Sequence, residues 1–341
     1  MINLKEDNII LLYTMTDGLG DYLTMGDIMR KVEQLLPGVK CLMVHRRNPH
    51  IHLWPLGEKE KRFFNIYSPS EFLLLCRTLQ RERKKTIILG LQMAPGSIQG
   101  FSLYTVLKKL GALDYIVDFN LINADIILPP EGDYILDLHL NQIKRLLNVE
   151  IPSHFYKLQL PIQQETNWQK IKSGSPFIRI GIHPWNRRGH LSCFVWPFEK
   201  WGKTINFLLE QKKYEIIVFG RDKRFEEFKN YLKGILGQKF NQIKFYAVQS
   251  VQELIKTISD VDLILSVNTS VVHIGYALNK KMIILSGPSL NLWTPKGEQI
   301  FIVRDEEAIF PGSDRHIPDD RFPSIERIPY ERVLEALMKL G

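Results

Sequence analysis

Cysteine is scarce in this sequence. Cys41, Cys76 and Cys193 are spread over 341 residues without a Cys-x-x-Cys pair, which argues against a disulfide framework and a thiolate zinc site. No apolar stretch approaches the roughly 20 uninterrupted residues that a membrane-spanning helix needs. Lys5, Glu6 and Asp7 precede only a short apolar run. Internal repeats and low-complexity tracts are absent too. His45, His50 and His52 lie close together, but no carboxylate or cysteine joins them at helical ligand spacing. These absences predict a soluble protein of the reducing cytoplasm, without a metal, that can touch a membrane surface.

What is present is an ordinary globular composition, 45% hydrophobic and 24% charged, in a chain long enough for two domains. The formal net charge of +8 favours anionic partners such as phosphates, nucleic acid or an acidic membrane. Its basic clusters, HRRNPH (45–50), KEKR (59–62), RERKK (81–85) and NRRGH (186–190), are scattered along the chain.

Short apolar runs alternate with helical patterns. NIILLYTM (8–15), VKCLMV (39–44) and TIILGL (86–91) read as strands, with helices over 21–36, 70–80 and 101–110. Continuously apolar strands separated by helices indicate a parallel sheet covered on both faces. The stretch 150–176 is rich in proline and polar residues and reads as a connection. The alternation then resumes, with strands at 177–184, 214–220, 243–248, 262–267 and 281–287 and helices at 197–211, 222–233, 250–258 and 269–278; an amphipathic helix closes the chain at 330–340. The predicted class is α/β with two Rossmann-like lobes: 1–160, a linker at 161–176, and 177–329, followed by the terminal helix 330–341. Ligands of such sheets bind beyond the carboxyl ends of the strands, so a cleft between the lobes is the expected site.

Four loops after strands carry candidate chemistry. In TDGLGDYLTMGD, Gly18 and Gly20 begin a dinucleotide-like turn, but Leu23 stands where a third glycine would. Arg46 and Arg47 end the second strand, where they can meet a 2′-phosphate or another anion. Asp21, at the junction of turn and helix, reads either as a helix-start acid or as a general base. In DLILSVNTSVVHIGYAL, Asn268 or Thr269 can cap a helix whose Thr269 and Ser270 amides make an anion site, with His273 one turn on. Arg187, Arg188 and His190 offer positive charge after another strand. Glu226 or Glu227 can reach a ribose hydroxyl, and the turn at Gly287 lets backbone approach a ligand.

Taken together, these segments resemble the heptosyltransferase-like glycosyltransferases of family 9, inverting enzymes of the GT-B class that include the ADP-heptose transferases of lipopolysaccharide synthesis. DGLGDYLTMGDIMRKVEQLLPG is similar to the family's opening loop and helix, FVWPFEKWGKTINFLL to its Trp-Pro helix start, and SVNTSVVHIGYALNKKMIILSGP to its nucleotide-binding block. The resemblance implies Asp21 as the base on the acceptor hydroxyl and Thr269, Ser270 and His273 near the donor diphosphate. It further implies a nucleotide-sugar donor on the second lobe, a glycolipid or other glycoconjugate acceptor on the first near Gly18, Gly20, Arg46 and Arg47, and no nucleic-acid partner. No cofactor and a place at the inner face of the cytoplasmic membrane are implied as well. Two positions depart from the family pattern: Asn268 replaces its usual aspartate, and Phe194 stands where a lysine is frequent. Arg187 or Arg188 is the expected substitute for that lysine. A nucleotide-sugar epimerase or hydrolase of the same fold, a catalytically degenerate binding protein and an NADP-dependent enzyme are the alternatives.

Overall fold

The computed structural model describes residues 9–14, 18–45, 63–65, 68–82, 85–89, 107, 109–112, 115–118, 126–127, 131–160, 176–186, 194–221, 223–287, 293–305 and 324–340. The chain divides into two compact units, Met1–Pro161 and Ile162–Gly341.

The first unit contains β1 (Ile9–Thr14), α1 (Leu19–Leu35), β2 (Val39–His45), β3 (Phe63–Asn65), α2 (Pro69–Glu82), β4 (Lys85–Leu89), β5 (Tyr115–Asp118), β6 (Ile126–Ile127) and α3 (Ile135–Leu147). All strand pairs are parallel, in the order β3-β2-β1-β4-β5-β6. Ile9, Ile10, Leu11 and Leu12 are all fully buried, as expected for a central strand covered on both faces. Helix α1 ends where Pro37-Gly38 was expected to end it, with the Leu36 amide donating to the Val32 carbonyl at 2.8 Å. Of the helix expected over 101–110, only Leu107, Lys109 and Leu110 are described; the first two are helical and Leu110 begins a turn.

The first part of the connecting stretch, 150–160, is packed on the first unit. Ser153–Tyr156 form a 3-10 turn, and Leu158 and Leu160 are buried in the first unit. The cause lies on α1, whose polar stripe Asp27, Arg30 and Lys31 requires partners. The Lys31 ammonium donates to Asp27 and to the carbonyls of Phe155 (2.7 Å) and Lys157 (2.6 Å), and Asp27 accepts from the Gln159 amide at 3.0 Å. Arg30 donates to both Asp27 and Gln159. Buried charges persist only when paired and hydrogen-bonded; here the segment after α3 supplies the remaining acceptors. Residues 161–175 lie outside the described residues.

The second unit contains β7 (Ile178–His183), α4 (Phe198–Glu210), β8 (Tyr214–Gly220), α5 (Lys223–Leu236), β9 (Ile243–Ala247), α6 (Val251–Ser259), β10 (Leu263–Val267), α7 (Ser270–Ala277), β11 (Lys281–Leu285), β12 (Ile300–Val303) and α8 (Tyr330–Leu340). Its parallel sheet runs β12-β11-β10-β7-β8-β9. The Trp-Pro pair begins α4 through Pro197. Trp196 is buried against Trp201 in an edge-to-face pair, and its indole N–H donates to the Ile328 carbonyl at 2.9 Å, fixing the chain just before α8. Helix α8 packs on α4, β11 and β12 of the same unit.

Numbered within its own unit, each sheet has the order 3-2-1-4-5-6, the doubly wound Rossmann arrangement. The strand order reverses between β1 and β4 in the first unit and between β7 and β10 in the second. Ligands of open α/β sheets bind at the carboxyl ends of the strands flanking such a switch point. The loops to inspect are therefore those leaving β1, β7 and β10.

Candidate functional site

In the second unit the loops leaving β7 and β10 are joined directly. The Asn186 side-chain amide donates to the Asn268 carbonyl at 3.1 Å, and Arg224, in the first turn of α5, donates to the Asn186 carbonyl at 2.8 Å. Asn268 in turn donates through its side chain to the Thr294 hydroxyl at 2.8 Å, which lies 3.3 Å from the Ser286 hydroxyl. A hydrogen-bonded chain thus spans the switch point and continues past the end of β11.

Thr269 caps α7: its backbone is extended, and its hydroxyl accepts from the Val271 amide at 3.3 Å. The Val272 amide turns back to the Thr269 carbonyl at 3.1 Å. Among the described residues the Thr269 and Ser270 amides have no acceptor, so the helix start presents donors where an anion would be held. His273 is buried one turn inside α7, and that burial pushes its pKa down to about 4. Its imidazole is therefore neutral near pH 7.

Beside this loop His183 ends β7, its pKa pushed by burial down to about 3, with its ring against Trp185 and Phe219 at centroid distances of 5.3 and 5.5 Å. Trp185 crosses the end of β8, where a Cβ on Gly220 would lie 1.8 Å from its Cζ2. Only glycine permits that approach.

In the first unit the loop leaving β1 delivers Gly18 as the N-cap of α1, with extended backbone and no side-chain cap. Asp21 is the acid of the first turn and is half-buried. A Cβ on Gly18 would lie 2.9 Å from Asp21 Oδ2, so the glycine leaves room for that carboxylate. Gly20 is buried and its carbonyl accepts from the Thr24 hydroxyl at 3.0 Å.

The other expected residues are dispersed. Glu226 is exposed in the first turn of α5, Glu227 pairs with Lys223 at 3.5 Å, and Gly287 is buried after β11. Phe194 is buried. Arg46, Arg47, Arg187, Arg188, His50, His52, His190 and Cys193 lie outside the described residues, as does the side chain of His45. Among the described residues no group of three His, Cys, Asp or Glu is placed to hold a metal ion, and no helix is long and apolar enough to cross a membrane.

The sequence model of glycosyltransferase family 9 (heptosyltransferase) matches residues 150–313. Those residues are a family 9 glycosyltransferase domain. Similar solved structures include a family 9 glycosyl transferase from Veillonella parvula, with 13% identity, coverage of 100% of this chain and 98% of that one, and a TM-score of 0.67. They also include E. coli ADP-heptose lps heptosyltransferase II (17% identity, 97% and 98% coverage, TM-score 0.61) and E. coli heptosyltransferase WaaC with ADP-2-deoxy-2-fluoro heptose (15% identity, 97% and 100% coverage, TM-score 0.63). At these identities the likeness is one of fold, and it bears out the GT-B class. No curated protein matches the chain at sequence level.

The family 9 domain contains the whole Arg224–Asn186–Asn268–Thr294–Ser286 chain and the start of α7, whereas Asp21 precedes the matched segment. Asn186, Arg224 and Thr294 were missed from the sequence. One signal did point to Arg224: a cation in the first turn of a helix opposes the macrodipole, and such a violation needs another reason, here the Asn186 carbonyl.

The buried histidines set an acid limit. His139 on α3 is fully buried and its pKa is pushed down to about 3. The unfolded chain takes up protons below about pH 6.5, whereas folded His139 and His273 resist until about 3 and about 4. Stability is therefore lost as pH falls below about 6.5, by roughly 2 kcal/mol per histidine at about pH 5. Asp137, raised by burial to about 6 from 3.8, protonates more readily folded than unfolded and offsets part of the loss in the first unit. Melting temperature measured against pH should fall in this window, and His273→Gln should remove about half of the second unit's response, the buried His183, also pushed down to about 3, supplying the rest. A flat profile between about pH 7 and pH 5 contradicts neutral burial.

Proposed function

We propose that this glycosyltransferase inverts the anomeric centre of a heptose as it moves the sugar from an ADP-heptose-type donor to an acceptor hydroxyl of a lipopolysaccharide core or related glycoconjugate. The observation that carries the reading is the helix-start anion site at the switch point of the family 9 domain, where Asn186 and Asn268 join the two flanking loops. In this scheme Asp21 takes the proton of the acceptor hydroxyl as its oxygen bonds to the anomeric carbon. The bond from that carbon to the donor phosphate oxygen breaks, and the departing nucleoside diphosphate keeps the electron pair. The Thr269 and Ser270 amides then face the developing charge, aided by the neutral His273 and by Arg187 or Arg188. Glu226 and Gly287 are assigned to the donor, and Gly18, Gly20, Arg46 and Arg47 to the acceptor. Donor binding by E. coli heptosyltransferase WaaC, solved with ADP-2-deoxy-2-fluoro heptose, supports the choice of ADP.

Because dipoles and cations can stabilise a leaving diphosphate unaided, transfer is proposed to need no metal. The test is thermal shift with ADP, UDP and GDP, followed by transfer assays before and after chelation. ADP at about 100 times its Kd should stabilise the protein by about 2.7 kcal/mol, with the transfer rate unchanged by EDTA. No shift with any nucleotide would overturn the donor assignment, and loss of rate on chelation would overturn the metal-free scheme.

A further inference from the structure

Helix α2 presents two different faces. Phe72, Leu75, Cys76 and Leu79 turn inward to a core that includes Ile10, Leu12, Leu42, Val44 and Phe64. Outward, Leu73 is 55% exposed and Leu74 41%. Steps of four residues carry the ridge from Leu73 to Arg77 and Arg81, both exposed. At its far end the Gln80 side chain donates to the Leu110 carbonyl at 3.3 Å, bringing up a turn on which Leu110 is 45% exposed and Lys109 is exposed as well.

A single exposed leucine is ordinary, but three leucines set among three cations form a patch. Glu71, the acid of the first turn, is engaged by the Asn65 amide at 2.7 Å. Past Arg81 the sequence continues Glu82-Arg83-Lys84-Lys85, three further cations to one acid. Charge complementarity selects the occupant. An apolar ridge flanked by long cationic side chains matches a bilayer interface, where leucines enter the acyl boundary and cations meet phosphates.

We propose that the outer face of α2, with the Lys109–Leu110 turn, docks this protein onto an anionic membrane surface. The inference goes beyond the transfer reaction and does not depend on which donor or acceptor is used. Its test is cosedimentation of the full chain with phosphatidylcholine vesicles, with and without phosphatidylglycerol. Binding should require the anionic lipid and weaken as salt rises from about 0.1 M to about 0.5 M. Arg77→Gln with Arg81→Gln should lower the partition coefficient about 25-fold, about fivefold per cation. Leu73→Ser with Leu74→Ser should lower it about tenfold or more, and both variants should keep the wild-type melting temperature and nucleotide shift. If wild type ignores anionic vesicles, binds neutral ones equally, or loses nothing in either variant, the proposal is wrong. It is also overturned if the leucine pair alters only self-association by analytical ultracentrifugation, for then the patch joins two copies of the chain.

Discussion

Asp21→Asn is expected to lower kcat for sugar transfer by roughly 10²- to 10⁴-fold, the range that a positioned general base contributes, with nucleotide binding unchanged. The substitution preserves shape and removes the basic oxygen. As the acid of the first turn of α1, Asp21 also offsets the helix dipole, a role worth about 0.3–1 kcal/mol. The two roles separate cleanly: the electrostatic one appears in the melting temperature, the basic one in kcat. Gly18→Ala should also impair turnover, because its Cβ would lie 2.9 Å from Asp21 Oδ2 and displace the carboxylate. If Asp21→Asn turns over within about threefold of wild type, Asp21 is no base and the residue serves the helix alone.

The largest expected stability effect lies far from the loops. Lys31→Met should destabilise the first unit by about 3–5 kcal/mol, the usual result of removing one partner of a buried ion pair. Lys31 and Asp27 are both buried, and Lys31 also satisfies the carbonyls of Phe155 and Lys157. Burial lowers the Lys31 pKa, while the Asp27 charge opposes that shift. Asp27→Leu combined with Lys31→Met should recover part of the loss, since no buried carboxylate is then stranded. Urea unfolding measures the loss, and hydrogen exchange over 153–160 locates it. A change below about 0.5 kcal/mol would mean that the segment is held by Leu158 and Leu160 instead.

The sequence revealed the architecture wherever its signals were long. Ile9–Leu12 is a continuous apolar run and Leu263–Val267 is interrupted only by Ser266, and burial on both faces confirms why. Strands β5 and β6 are four and two residues long, too short for any period to register. Helix α3 was overlooked although its apolar positions repeat, because its buried face also carries His139 and Gln142. The Thr269 cap was readable because capping is local. The bonds from Arg224 to Asn186 and from Asn268 to Thr294 join residues 38 and 26 positions apart, and only the crossover topology brings them together. For the same reason Lys31 gave no hint that it would seize residues 155 and 157.

The hydroxyls of Thr294 and Ser286 give the site a reversible polarity. Thr294 now accepts from the Asn268 side chain, but a hydroxyl rotor can equally donate to a carboxylate. An aspartate at 268, the form usual in the family that this sequence resembles, would therefore find the same partner with the hydrogen bond running the other way. Scaffold and charge are thus decoupled at this position, and a single atom exchange can retune the potential beside the α7 start without rebuilding the loops around it.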